Sequence, residues 1–351
     1  MMNTTPLPLN SGAARLFNAS PDRALAMLRA CPVYEPTPMR AAPALARDLG
    51  ISALYVKDES TRMRRGSFKA LGGAFAVAQM ICDAAGETDP TAAPAKARAA
   101  SMTFVTASAG NHGLSVAAGA RVFGARACIV LARTVPEGFA ARIRGLGAEV
   151  VRVDGNYEES VAHAMALADA RDWLLLADGS WPGYTERPAL VMEGYTVLAE
   201  ECREEFARHG TWPTHVFVQA GVGGLAAAVA AHIREFWARQ PRIIIVEPDA
   251  APCLGESIKA RRMVHAPGPV SNMGRLDCKD ASLIAFEALR HDADDFVTIS
   301  DPAAVAAADT LAAHGVVTTP SGAASLAAVR SGPAGPAARV LVFATEGGES
   351  G

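Results

Sequence analysis

Cysteine pairs at metal or disulfide spacing are missing from this 351-residue chain. Its six cysteines, Cys31, Cys82, Cys128, Cys202, Cys253 and Cys278, are scattered and form no C-x-x-C pair, which argues against a zinc knuckle or a disulfide framework and for a reducing cytosol. No two of the eight histidines have H-x-x-x-H spacing, so no catalytic metal is expected. Charge of one sign is also lacking. Thirty-three Lys and Arg against 36 Asp and Glu leave a net of −3, and no basic field for nucleic acid or anionic lipid. Apolar runs stay short of the roughly 18 residues of a membrane span, and the first twenty residues lack the charged and apolar regions of a leader. Hydrophobic residues make up half of the chain, enough for a large single domain or two packed lobes. The expectation is a soluble, unprocessed, cytoplasmic protein that handles a small molecule.

Periodicity supplies the architecture. The first fifty residues read as a Pro- and Ala-rich packed arm with one amphipathic helix over 21–30 and Asp22 in its first turn. Residues 83–100 hold no large apolar side chain, which predicts an exposed loop or short surface helix contributing nothing to a core. No repeat of 20 to 50 residues is present. Apolar runs at 102–106, 127–131, 149–153 and 173–177, separated by helical patterns, predict a βαβαβαβ unit. Runs at 215–219, 243–246, 296–299 and 340–344 repeat the idea. Such alternation requires right-handed crossovers and parallel strands covered on both faces. The fold class is therefore α/β: two lobes, each an open, mostly parallel sheet flanked by helices, with a cleft between them. Ligands in open sheets sit at the carboxyl ends of strands, so chemistry belongs in the loops after these runs.

Three such loops stand out. Gly221-Val222-Gly223-Gly224-Leu225 follows a strand and opens an alanine-rich helix, where free amides and the helix dipole suit a phosphate. The same residues satisfy a dinucleotide fingerprint, Gly221-x-Gly223-x-x-Ala226, with Glu247 as the ribose-binding acid; a tight turn with close helix packing is a third reading. The loop from Thr106 through Ser108, Ala109, Gly110, Asn111 and His112 to Gly113 offers hydroxyl, amide and backbone N–H groups for a carboxylate, or an ordinary helix cap with His112 in solvent. Lys69 follows Lys57-Asp58-Glu59-Ser60 and Gly66-Ser67-Phe68, and heads the apolar segment 70–80. It is either a snorkelling surface lysine or a desolvated amine with a lowered pKa.

Taken in order, GSFKALGG, SAGNHG, GVGGL and Thr345-Glu346-Gly347 resemble the pyridoxal-phosphate enzymes of fold type II, the tryptophan synthase β-like group, over about residues 35–348. VKDES, WPGYTERPALVMEGY and IVEPDAAPCL resemble the diaminopropionate ammonia-lyases and the related phenylserine and threonine dehydratases. The resemblance implies pyridoxal 5'-phosphate in a cleft between a large lobe (1–75 and 185–351) and a small lobe (76–184). It implies Lys69 as the Schiff-base lysine, Phe68 beside the pyridine ring, Asn111 on the phenolic oxygen, and Gly221, Val222, Gly223, Gly224 and Leu225 around the phosphate. Thr345 would face the pyridine nitrogen, where a neutral hydroxyl does not favour a protonated ring and so favours elimination over transamination. The implied reaction is α,β-elimination from a β-amino or β-hydroxy amino acid, giving a 2-oxo acid and ammonia. Ser108, Ala109, Gly110, Asn111 and His112 would hold the substrate carboxylate, and Lys69, its pKa depressed by the apolar helix, would act as base.

One departure affects the substrate. Diaminopropionate lyases resemble TDGNHG at the asparagine loop, with an acid that can serve the D-isomer, whereas this chain has Ala109. Asp178 matches a second acid of that group, able to protonate a leaving amine or hydroxyl, or is a turn-capping aspartate. Arg275 and Asp277 either enter the cleft from the large lobe or form a surface ion pair, and Trp181 and Tyr184 read as packing anchors or an aromatic pocket. A homodimer acting on a small amino acid is the implied assembly. The alternatives are a nicotinamide-dependent oxidoreductase built on Gly221, Gly223, Ala226 and Glu247, and a non-catalytic pyridoxal-phosphate-binding homologue.

Overall fold

The computed structural model describes residues 15–332 and 334–348. Its strands are β1 (Met39–Ala41), β2 (Ala53–Asp58), β3 (Thr103–Ala107), β4 (Arg126–Ala132), β5 (Glu149–Val153), β6 (Leu174–Leu175), β7 (His215–Gln219), β8 (Arg242–Pro248), β9 (Asp295–Ile299) and β10 (Arg339–Ala344). Six of them form one sheet in the order β1-β2-β10-β7-β8-β9, parallel except for β1. The other four form a parallel sheet in the order β5-β4-β3-β6. The expected strands are all present. β6 is shortened to two residues because the chain leaves the sheet there to form the loop that carries Asp178. Among the described residues no helix is long and apolar enough to cross a membrane.

Two expectations fail for identifiable reasons. β2 was not foreseen because its apolar run ends in Lys57 and Asp58, yet both are buried, at 2% and 1% exposure. Lys57 Nζ donates to Glu201 Oε2 at 2.6 Å and to the Thr37 carbonyl at 2.7 Å. Arg62 bridges Glu59 and Glu201 with contacts of 2.7–2.8 Å. Two cations and two anions thus neutralise one another inside the protein, which is how buried charge is tolerated. The stretch 83–100 does contribute core, because Ala95 and Ala99 of the helix Ala93–Ala99 are fully buried. Alanines need no bulk when the helix itself lies close to its neighbour.

The helix Lys69–Ala85 packs on the helix Glu186–His209 and on the helix Asn111–Phe123. Adjacent glycines set both contacts. A Cβ at Gly72 would lie 2.5 Å from the Val191 carbonyl oxygen, one at Gly194 would lie 2.6 Å from Gly72 Cα, and one at Gly73 would lie 1.9 Å from Ser115 Oγ. The pair Gly72-Gly73 therefore lets backbone meet backbone on one side and a serine hydroxyl on the other.

Candidate active site

Lys69 is the first residue of its helix, and its Nζ lies 2.5 Å from Asp178 Oδ2. The two side chains are 22% and 23% exposed, so the pair faces an open cleft. Phe68 and Tyr195 stand edge to face, 4.9 Å apart, with the ammonium 5.3 and 5.6 Å from their ring centres. Burial is the largest single influence and works to lower the Lys69 pKa, but the charge and hydrogen bond of Asp178, together with the neighbouring Tyr195 hydroxyl, outweigh it and the net shift is upward. Asp178 moves the opposite way: burial works to raise its pKa, and Lys69, then His112, pull it below the usual carboxylate range. The expected depressed lysine is thus overturned, because the apolar helix is opposed by an acid 109 residues away in sequence.

The Asp178 loop is fixed from both ends. Tyr184 Oη donates to the Leu175 carbonyl and accepts from Ala177 N–H, both at 3.0 Å, while its ring stacks on Trp181 at 4.4 Å. Both aromatics are anchors here. Ser180 binds Ser282, Leu283 and Ile284, tying this loop to a segment whose Ser282 N–H donates to the Val222 carbonyl of the glycine loop.

Neither helix-opening loop carries the side-chain cap that would make it an ordinary turn. Gly110 is the cap residue of Asn111–Phe123 and Gly223 that of Gly224–Phe236, and both lack a capping hydrogen bond from a side chain. Gly223 has φ +103°, and a Cβ there would strike Ala285 and Leu254 at 2.9 Å, so only glycine fits. Uncapped helix starts with this much bare backbone suit anions. In the asparagine loop, Ser108 Oγ accepts from Gly110 N–H at 3.3 Å and Ala109 lies alongside. His112 is not in solvent. It is buried, its Nε2 lies 2.8 Å from the Leu176 carbonyl oxygen, and burial lowers its pKa. Asn111 Nδ2 donates to Glu346.

Sequence reasoning missed three polar residues around the site. Glu346 accepts from Asn111 and, at 2.5 Å, from Thr319, and a bridge between Ser67 and Glu346 brings the lysine loop alongside. Gln219, at the end of β7, donates to Thr345 Oγ1 at 3.2 Å, which frees the threonine proton to be given elsewhere. Ser115 Oγ donates to the Lys69 carbonyl at 2.7 Å. Each contact joins residues at least 27 positions apart, so no local pattern announces it. Arg275 and Asp277 also part company. Asp277 accepts from Lys279 at 2.5 Å, whereas Arg275 Nε reaches to 3.6 Å of Glu346 and its guanidinium lies over Phe139.

The dinucleotide alternative loses its acid. Glu247 is 1% exposed and accepts from the N–H groups of Leu254 and Gly255 at 2.7 and 2.8 Å, capping the helix Cys253–Ala260. It has no surface left for a ribose. Among the described residues no cluster of metal-ligating side chains exists. The groups present instead fit pyridoxal phosphate: a primary amine for its aldehyde, a bare glycine cradle for its phosphate, an amide and a threonine hydroxyl for its ring polar atoms. The buried Tyr195 hydroxyl and Gln219 Oε1, both without a protein partner, add unsatisfied polar capacity in the same region.

Comparison with known proteins gives the same answer. The diaminopropionate ammonia-lyase of Escherichia coli is 36% identical over 276 residues, 77% of this chain and 69% of that protein. Its crystal structure in complex with D-serine superposes with a TM-score of 0.85 at 30% identity, covering 97% of this chain and 92% of that one. The biosynthetic L-threonine dehydratase of Escherichia coli is 31% identical over 309 residues, 87% of this chain and 54% of that protein. The family model described as pyridoxal-phosphate dependent enzyme matches residues 31–346, and with the amine, cradle and ring partners assembled around one cleft, the chain belongs to that family.

Proposed function

We propose that this protein is an ammonia-lyase that removes the β-amino or β-hydroxy group and the α-amino nitrogen of an L-amino acid, leaving a 2-oxo acid and ammonia. The observation that carries the reading is the Lys69–Asp178 pair at 2.5 Å in a cleft also bounded by two uncapped helix starts. Lys69 would hold the cofactor covalently, Gly221 through Leu225 its phosphate, Asn111 its phenolic oxygen, and Thr345, its proton directed by Gln219, the pyridine nitrogen, with Phe68 beside the ring. Pyridoxal phosphate supplies an electron sink for the bond broken at Cα. The protein's own groups do the rest. Ser108 and the amides of the Ala109 to His112 loop bind the substrate carboxylate and fix the Cα–H bond relative to Lys69. Once the substrate's amine has taken its place on the cofactor, Nζ is a free neutral amine and takes that proton as base. At hydrogen-bond distance from Nζ, Asp178 can receive a proton and give it to the departing amine or hydroxyl, so one pair serves both ends of the elimination.

Ala109 supports the L-isomer, since the asparagine loop brings no second carboxylate. The test is 2-oxo acid formation from L- and D-diaminopropionate, L-serine, L-threonine, both phenylserine isomers and hydroxyaspartate. Turnover of L-diaminopropionate or of a β-hydroxy amino acid is expected. No product from any of them ends the lyase reading, and product from D-diaminopropionate alone ends the stereochemical one. We further assign the chain to a reducing cytoplasm, supported by six unpaired thiols, and to a homodimer, which light scattering of the purified protein checks. The two separate sheets support a division into lobes 1–75 with 185–351 and 76–184.

A further inference from the structure

A compartment of about 740 Å³ adjoins the site and shares Asn111 and Glu346 with it. Four of its lining side chains are arginines: Arg64 and Arg65 from the loop after β2, Arg142 from the helix Glu137–Arg144, and Arg275. Among the described residues Glu346 is its one carboxylate; it accepts from Asn111 and Thr319 and pairs with Arg275 at 3.6 Å. Such an excess of cations is local, since the whole chain carries −3. Arg64, Arg65 and Arg142 form no ion pair among the described residues. Arg142 and Arg275 each lie 5.9 Å from the centre of the Phe139 ring, which holds them near one another. A Cβ at Gly110 would be 3.5 Å from Arg275 Nη1, so this guanidinium lies against the loop assigned to the substrate's α-carboxylate. The backbone at the entrance is strained: Met63 and Arg64 are consecutive non-glycine residues with φ of +48° and +57°. Strain of this kind persists where the fold enforces it, and it gathers at ligand sites.

We infer that this compartment takes the second carboxylate of an amino dicarboxylic acid whose β-carbon bears the leaving amine or hydroxyl. The inference rests on the lyase reading above. Guanidinium forks match carboxylates in geometry as well as charge, and Arg64, Arg65 and Arg142, beside the α-carboxylate loop, select a substrate with two such groups close together.

The test uses the holoenzyme, with hydroxyaspartate and L-serine as substrates and succinate as an unreactive dicarboxylate. We expect kcat/KM for hydroxyaspartate to exceed that for serine by about tenfold or more. Arg64→Gln with Arg65→Gln, and separately Arg142→Gln, should reduce that ratio about tenfold, chiefly through KM, and weaken calorimetric binding of succinate by a similar factor. Equal use of the two substrates, or a ratio and succinate affinity that the variants leave unmoved, overturns the inference while leaving the lyase reading intact. If no amino acid yields a 2-oxo acid, the lyase reading fails. Arginine-dependent succinate binding would then still support the anion site, and absence of succinate binding would overturn it.

Discussion

Two lysine–carboxylate pairs of nearly equal length sit in opposite surroundings. Lys57–Glu201, at 2.6 Å, is 2% and 4% exposed and locked by Arg62, Glu59 and Thr37. Lys69–Asp178, at 2.5 Å, is 22% and 23% exposed, and its open side faces the cleft. Distance does not separate a structural pair from a reactive one. What separates them is whether the remaining hydrogen-bonding capacity is used by protein or left for something else. In the first pair every group is committed, and a proton has nowhere to go. In the second, one salt bridge joins the two charges and its exposed side is left open, so a substrate can take a place there.

The sharpest way to break this comparison is Lys69→Ala. We expect 2-oxo acid formation to fall to background and the visible absorbance of the bound cofactor to vanish, with the melting temperature little changed; a coloured, active variant would make the open pair no different from the closed one. Asp178→Asn keeps the shape but not the charge, and should lower kcat by about 10²–10⁴ while the cofactor stays bound, as judged by absorbance. Glu201→Ala is the mirror experiment. Leaving Lys57 without a carboxylate and Arg62 with Glu59 alone should cost about 3–5 kcal/mol in denaturant unfolding, with kcat per folded molecule retained. Loss of kcat without loss of stability would reverse the assignment.

A smaller, pH-dependent effect comes from Glu247, a third buried acid that has backbone partners but no cation. Burial pushes it up to about 7 from the ordinary 4.5, against the pull of the Leu254 and Gly255 amides. The folded protein then binds its proton more tightly than the unfolded chain. Its stabilising contribution is therefore full below about pH 4.5 and is lost as pH rises through about 7. Unfolding midpoints of the wild type minus those of Glu247→Gln should decline across that window. A flat difference would mean that this carboxyl stays ionised throughout.

How much of this could be read in advance follows the same division. Lys69, Asn111, the glycine loop and Thr345 lie in short motifs, where glycines and a lysine at a helix start have local meaning. Glu346, Gln219 and Ser115 act through partners far along the chain, and their significance exists only after folding. The direction of the Lys69 shift was misjudged for that reason: its helix is local, its acid is not. Parallel strands announced themselves as apolar runs, whereas β2 was hidden by Lys57 and Asp58, whose burial depends on partners in other elements. Glu247 was misread because an acid at a strand end looks the same whether it meets a ribose or a helix start.

The seam at Gly72, Gly73 and Gly194 ties the position of the reactive nitrogen to the two helices beside it. The lysine helix is gripped on one flank by a helix next to the six-stranded sheet and on the other by a helix of the four-stranded sheet, with only the Tyr195 ring and the Ser115 hydroxyl against the glycines. Movement of either half is transmitted directly to Nζ. A lone methyl group at position 72 would strike the Tyr195 ring at 2.4 Å and the Val191 carbonyl at 2.5 Å, and so act as a wedge whose effect is felt at the amine.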